Sequence, residues 1–194
     1  EDDGVLHVAV HIARIAEVIE KDGPLDREAA KRATTVYFPG QAVRMFPVDL
    51  TESTLSLEAG ADRSALTLIC RVGAAGLPDA GRFVRSTVRV DERATYESGG
   101  DLTDGLLALL HPVAEALRAE RLAAGAAEVS VPQLKLTLDS DGEPVAELYS
   151  TGLPSHRVVS EFMILYNARL ADALGAGSAA ALFRLQPKDV TLNV

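Results

Sequence analysis

RATTVYFPGQAVRMFP, residues 32–47, runs on into LTESTLSLEAGADR, residues 50–63. Tyr37, Phe38, Pro39 and Gly40 end any helix there. Two aromatic residues precede a ring without an amide hydrogen and a residue without a side chain, so the chain runs extended. Just upstream, Leu25 and Asp26 open a helix. Asp26 is its first-turn acid, and Ala29 and Ala30 are good helix formers. Gly23-Pro24 stops a shorter helix expected over residues 15–22. Before that, Leu6, Val8, Val10 and Ile12 alternate with Val5, His7, Ala9 and His11, the period of a strand with one better-buried face.

Downstream, residues 64–72 and 82–90 alternate around the loop AAGLPDAG and read as a long antiparallel hairpin. Arg85, Thr87 and Arg89 give it one wet face. Leu106, Leu109, Leu110, Val113 and Leu117 recur at helical spacing over residues 102–127, with Pro112 a kink or a boundary between two helices. Residues 134–138 and 145–149 flank Ser140-Asp141-Gly142 as a second hairpin. A last long helix is expected over residues 158–174, closed by Gly175 and Gly177, and a terminal strand over 180–186, ending at Pro187. Helices intermixed with hairpin-connected strands predict an α+β fold, a mixed, mainly antiparallel sheet with packed helices.

A chain of 194 residues, 47% hydrophobic, is one ordinary domain able to bury roughly two thirds to three quarters of its unfolded surface. No apolar run approaches the roughly 20 residues of a membrane helix, and no basic-then-apolar leader is present, so a soluble cytoplasmic protein is expected. Cys70, the single cysteine, has no disulfide or metal partner and reads as a core side chain within an alternating strand. A net charge of −9 argues against independent nucleic-acid binding, which draws its affinity from Lys and Arg clusters. His7 and His11 lie roughly 13 Å apart along one strand, too far to share one ion.

The opening stretch resembles the ribonuclease II and ribonuclease R family. There a helix ending near an Arg runs into a Thr-x-Tyr-x-Pro-Gly strand, a Met-x-Pro step and a Leu-Ser/Thr…Ser-Leu turn. Here these are Arg32, Tyr37-Phe38-Pro39-Gly40, Met45-Phe46-Pro47 and Leu50-Thr51 with Leu55-Ser56-Leu57. VLHVAVHIA at 5–13, RATYES at 93–98, RLAAGA at 121–126 and HRVVSEFMILYNARLA at 156–171 match further family segments, so nearly the whole chain is covered. Arg14 stands where the family has Asp. The family's aspartate loop, ending Asp-x-Asp-Asp-Ala, lies too far from its Val-His-Ile-Ala strand to be Glu1 to Gly4, which read as a hairpin turn. Its Thr-Ser-Pro-Ile-Arg-Arg-Tyr segment is also absent.

The resemblance implies that residues 1–194 are part of an exoribonuclease catalytic domain of this family. Such a domain hydrolyses single-stranded RNA from the 3′ end to nucleoside 5′-monophosphates, flanked by oligonucleotide-binding domains of the same protein. The cofactor implied is Mg²⁺, with ligands mostly outside this chain, so the chain alone is expected to be inactive. Asp2 and Asp3 are the alternative ligands, since Mg²⁺ accepts a pair of loop carboxylates. Glu161 is the implied catalytic acid of the RNA pocket. Tyr37, Arg157 and Asn167 are the implied RNA-binding residues, with Tyr37 stacking on 3′ nucleotides. Read from residues alone, Tyr37 is a core aromatic, Glu161 pairs with Arg157 one turn earlier on the helix, and Asn167 sits deep and serves structure. The alternative reading of the whole chain is a non-catalytic RNA-binding or interaction module, for which Arg14 is the internal hint.

Overall fold

The computed structural model describes residues 4–38, 41–96, 105–128, 133–149, 152–177 and 180–183. Its centre is a three-stranded antiparallel sheet in the order β1-β4-β5, made of His7–Ala13, Asp62–Arg71 and Arg82–Arg89. The alternation of β1 sets its register: Val8 opposes Cys70, Val10 opposes Leu68 and Ile12 opposes Leu66. Phe83 extends the same face from β5, opposite Leu68. Two helices cover this face, α2 (Gly105–Ala123) and α3 (Pro154–Gly175). Val113, Ala114 and Leu117 descend from α2, and Val158, Phe162, Leu165 and Tyr166 from α3, onto Val8, Leu68 and Cys70. Each such large side chain contributes roughly 1.5–3 kcal/mol when fully buried. Tyr166 meets Phe83 edge-on at 5.3 Å and donates its hydroxyl to the Leu66 carbonyl at 3.2 Å.

Between β1 and β4 the chain makes α1 (Pro24–Arg32) and a two-stranded ribbon, β2 (Val36–Phe38) and β3 (Gln41–Val43). Pro24 is suited to the first helical turn, where its missing N–H is not needed. A π-helical turn follows at Leu50–Thr54, and Arg63 at the start of β4 donates from Nε to the carbonyls of Ser53 and Ser56, both at 3.1 Å. A second ribbon, β6 (Gln133–Leu138) and β7 (Pro144–Tyr149), lies between α2 and α3. The Asp139 carboxylate closes its turn by accepting the N–H groups of Asp141 and Glu143 at 2.9 Å.

Four expectations change. Residues 15–22 form only a 3₁₀ turn, Ile15–Glu17. The segment is short and rich in β-branched Ile15, Val18 and Ile19, and an isolated helix of that length does not support itself. Of the two readings of Pro112, the boundary between helices is excluded, since the residue lies inside a continuous α2. Packing on both sides of it, by Leu107 and Leu110 before and Val113 and Leu117 after, holds both halves against one sheet and outweighs the lost hydrogen bond. The last helix begins at Pro154, earlier than expected. Residues 180–183 carry no regular structure, and the remainder of the strand expected over 180–186 lies outside the described residues. Cys70 is 2% exposed in the core, as its strand position implied. Among the described residues no helix is long and apolar enough to cross a membrane.

The face of the sheet away from the helices holds a polar chain. Thr67, 1% exposed, lies 2.8 Å from His11 Nδ1 and 2.5 Å from Ser86 Oγ, which satisfies its hydroxyl. Burial keeps the His11 pKa below its ordinary value, favouring the neutral ring.

Gly81 enters β5 at φ +64°, and a Cβ there would lie 2.6 Å from both Cys70 Sγ and the Ile69 carbonyl oxygen. Gly81→Ala is therefore expected to destabilise the fold by roughly 2–5 kcal/mol, adding left-handed strain to overpacking. Gly142, at φ +83° with nothing within 4 Å of an added methyl group, is the control. Its Ala variant should lose only about 1–2 kcal/mol. Urea midpoints measure both, and equal losses would show that contact with Cys70 is not the cause.

Candidate RNA-end pocket

Glu161 is in the first half of α3, between Ser160 and Phe162. Helical spacing from the core residues Val158 and Phe162 turns it toward α2, and it is 4% exposed. A carboxylate that deep requires a partner. Arg121, from the last turns of α2, supplies it two-pronged: Nε donates to Oε2 at 2.9 Å and Nη2 to Oε1 at 2.5 Å. The paired carboxylate raises the Arg121 pKa, through the hydrogen bond first. Arg157 does not pair with Glu161. It donates instead to Glu115 of α2 at 2.7 Å, and the same carboxylate lies 3.6 Å from His111 Nε2. The hydrogen bond from Arg157 holds the Glu115 pKa below the usual carboxylate range.

This choice of partners has a geometric origin. Residues four apart on one helix are neighbours, but such pairs contribute only about 0.2–0.5 kcal/mol. Packing against a second helix offers each charge a better-placed partner, and the two inter-helix pairs step in the same sense along α2 and α3.

Arg118, Arg121, Arg157, Glu128 and Glu161 together line a cavity of about 430 Å³. Its lining also includes His156, whose ring stacks on Tyr96 with centroids 3.9 Å apart. Ser155 secures the same junction by donating to the Tyr96 carbonyl at 2.8 Å. The opening turn of α3 is thus fixed against the 93–96 segment.

Tyr37 and Asn167 do not line this cavity. Tyr37 is on β2 and is 77% exposed, which removes the core reading for it. The base of its ribbon is tied down: Arg32 Nη1 donates to the Arg44 carbonyl at 2.7 Å, Met45 N–H to Thr35 Oγ1 at 3.2 Å, and Arg44 pairs with Glu52. The ring of Tyr37 thus stands exposed on a tethered ribbon. Asn167 is exposed on α3, contrary to its expected depth, because it follows Tyr166 onto the opposite side of the helix from the core. Asp2 and Asp3 lie outside the described residues. Among the described residues no cluster of three His, Cys, Asp or Glu side chains could hold a metal ion. Arg14, in place of an expected acid, pairs with Glu17 and donates to Ser64 Oγ at 3.3 Å, away from the cavity.

Sequence alone gives Arg118, Glu115 and Glu128 no role, and Arg121 enters only as the first residue of the RLAAGA segment. One signal was present: His111, Glu115 and Arg118 follow i, i+4, i+7 spacing beside the apolar stripe of α2, a charged stripe bordering a core.

Removing Arg121 would strand a nearly buried carboxylate, whereas Glu115 and Arg157 are each 35% exposed at the side chain. Arg121→Ala is expected to cost about 2–3 kcal/mol, somewhat below the range for fully buried pairs because the arginine itself is partly solvated. Arg157→Ala should cost under about 1 kcal/mol. Denaturant titration of both variants checks the order, and a reversal would mean that the Glu161 carboxylate is not held as described.

A family model described as RNB domain matches residues 1–193. The chain is 28% identical to ribonuclease R of Chlamydia muridarum, covering 95% of this chain and 28% of that protein. It is 29% identical to the human exosome complex exonuclease RRP44, covering 96% and 21%. The chain thus spans about a quarter of the length of these curated relatives. Among solved structures, Mycoplasma genitalium RNase R in complex with ribose-methylated single-stranded RNA superposes at a TM-score of 0.80, with 18% identity over 87% of this chain and 28% of that one. Dss1 exoribonuclease from Candida glabrata, an active-site mutant, gives 0.77 with 23% identity over 90% and 26%. The family's fold is therefore reproduced in the α+β core described above, and with the match running through all but the final residue, the chain belongs to the RNB domain family.

Proposed function

We propose that this chain is part of the catalytic domain of an exoribonuclease that degrades single-stranded RNA from its 3′ end to nucleoside 5′-monophosphates. The observation that carries the reading is the convergence of Arg118, Arg121 and Arg157 with the buried Glu161 on one cavity, in a chain of the RNB family. Guanidinium groups bind phosphate oxygens in a planar fork, so three of them in one cavity suit a phosphodiester end. In this reading Glu161 fixes the orientation of Arg121 and excludes water from beneath it, and Tyr37 grips a base whatever its identity. The names of the relatives support RNA as the substrate class.

The described residues do not make a metal site, so no step of the chemistry is assigned to a metal through them. The Mg²⁺ implied by the family resemblance belongs on carboxylates outside the described residues, and flanking oligonucleotide-binding domains would supply the remaining RNA contacts. The single thiol, Cys70, is buried in the core, and a cytoplasmic setting is part of the same reading.

The test uses the intact polypeptide carrying this chain, with a 5′-labelled single-stranded RNA and Mg²⁺. Stepwise shortening from the 3′ end with release of mononucleotides is expected. Tyr37→Ala should leave a limit product longer by a few nucleotides, since a stacked base contributes about 1–3 kcal/mol, while the melting temperature stays nearly constant because the ring is already exposed. Unchanged limit products would remove Tyr37 from the RNA path, and internal fragments from the unaltered protein would contradict exonucleolytic action.

A further inference from the structure

The cavity at rest is self-neutralised. Arg121 is matched by Glu161, Arg157 by Glu115 and Arg118 by Glu128. An incoming phosphate needs a guanidinium that can change partners, and the three pairs differ in that respect. The Glu161 side chain is 5% exposed and held at both oxygens, so it has nowhere to go. Glu115 is engaged by both Arg157 and His111. Glu128 is different. It follows the end of α2, past the left-handed Gly125 at φ +94°, and its side chain is 49% exposed. Solvent is open to it if it swings away.

Arg118 also shows incomplete use. Its Nη2 donates to Glu128, but its buried Nε makes no hydrogen bond among the described residues. A buried donor without an acceptor carries a desolvation penalty. A phosphate can relieve it, because two oxygens on one phosphorus match the Nε and Nη2 edge of a guanidinium. The hydrogen bond between them lowers the Glu128 pKa and raises that of Arg118, so the carboxylate is a charged occupant of the position.

We propose that Arg118 is a phosphate-binding position of this cavity and that Glu128 is its resident competitor, displaced when an RNA phosphodiester takes the Nε–Nη2 edge. The proposal rests on the ribonuclease reading and adds to it which arginine exchanges partners and which acid opposes binding.

The experiment measures equilibrium binding of a fluorescent single-stranded RNA oligonucleotide to the intact polypeptide in EDTA, which halts metal-dependent turnover, across a series of salt concentrations. Glu128→Gln should bind about two- to fivefold tighter, the scale of one exposed ion pair. A misfolded variant would lose affinity, so a gain cannot arise that way. Arg118→Gln should bind more weakly, with the slope of log affinity against log salt shallower by about one. The double variant should match Arg118→Gln alone, because competition requires the arginine. Tightening that persists in the double variant would overturn the proposal in favour of a general charge effect, as would unchanged or weaker binding by Glu128→Gln. Absence of binding by the unaltered protein would instead overturn the ribonuclease reading, and this proposal with it.

Discussion

A carboxylate buried to 4% exposure between two helices, met at both oxygens by one guanidinium, is the constraint around which this domain is arranged. Glu161 cannot be left unpaired at that depth, so α3 must present it to Arg121 of α2. The same alignment seats Val158, Phe162 and Leu165 on the sheet. Apolar packing of α2 and α3 on the sheet and the ion pair between them require the same alignment of the two helices. Replacing such a pair by apolar groups is often neutral for stability. The arginine is still 36% exposed, so its outer edge faces the cavity.

An overall charge of −9 is compatible with the proposed RNA substrate, because the recognition proposed is local. Phosphate affinity depends on guanidinium groups within contact distance, while charges beyond about 8–10 Å are largely screened at physiological ionic strength. Three arginines converge on one cavity of a protein that is acidic elsewhere, and each is held by an acid at rest. Such a site binds weakly unless a ligand can displace or outbid a carboxylate.

The strands were legible because period-2 alternation is a property of neighbours: β1, the β4–β5 hairpin and the β6–β7 hairpin all follow the apolar pattern. The charge pairs were not, because the partners are 40 and 42 residues apart and only tertiary packing joins them. Local spacing suggested Arg157 with Glu161, and it was overridden by a closer approach from another helix. Tyr37 was ambiguous for a related reason. An aromatic ring in an apolar run usually marks a core strand, but a short two-stranded ribbon need not bury either face, and Val36, Tyr37 and Phe38 are all exposed. The segment resemblance favoured the exposed role, and the pattern of residues alone did not.

The Arg121–Glu161 pair holds α2 to α3, and its proposed part in RNA turnover is separable from that packing role. A double-mutant cycle of Arg121→Met and Glu161→Leu tests it, reading denaturation free energy and RNA turnover in the intact polypeptide. Each single variant should be less stable than the double, with a coupling of about 1–3 kcal/mol, while turnover stays at least tenfold down in all three, about 1.4 kcal/mol in the barrier. Turnover restored together with stability in the double variant would contradict it, since the pair would then be a structural clip and nothing more.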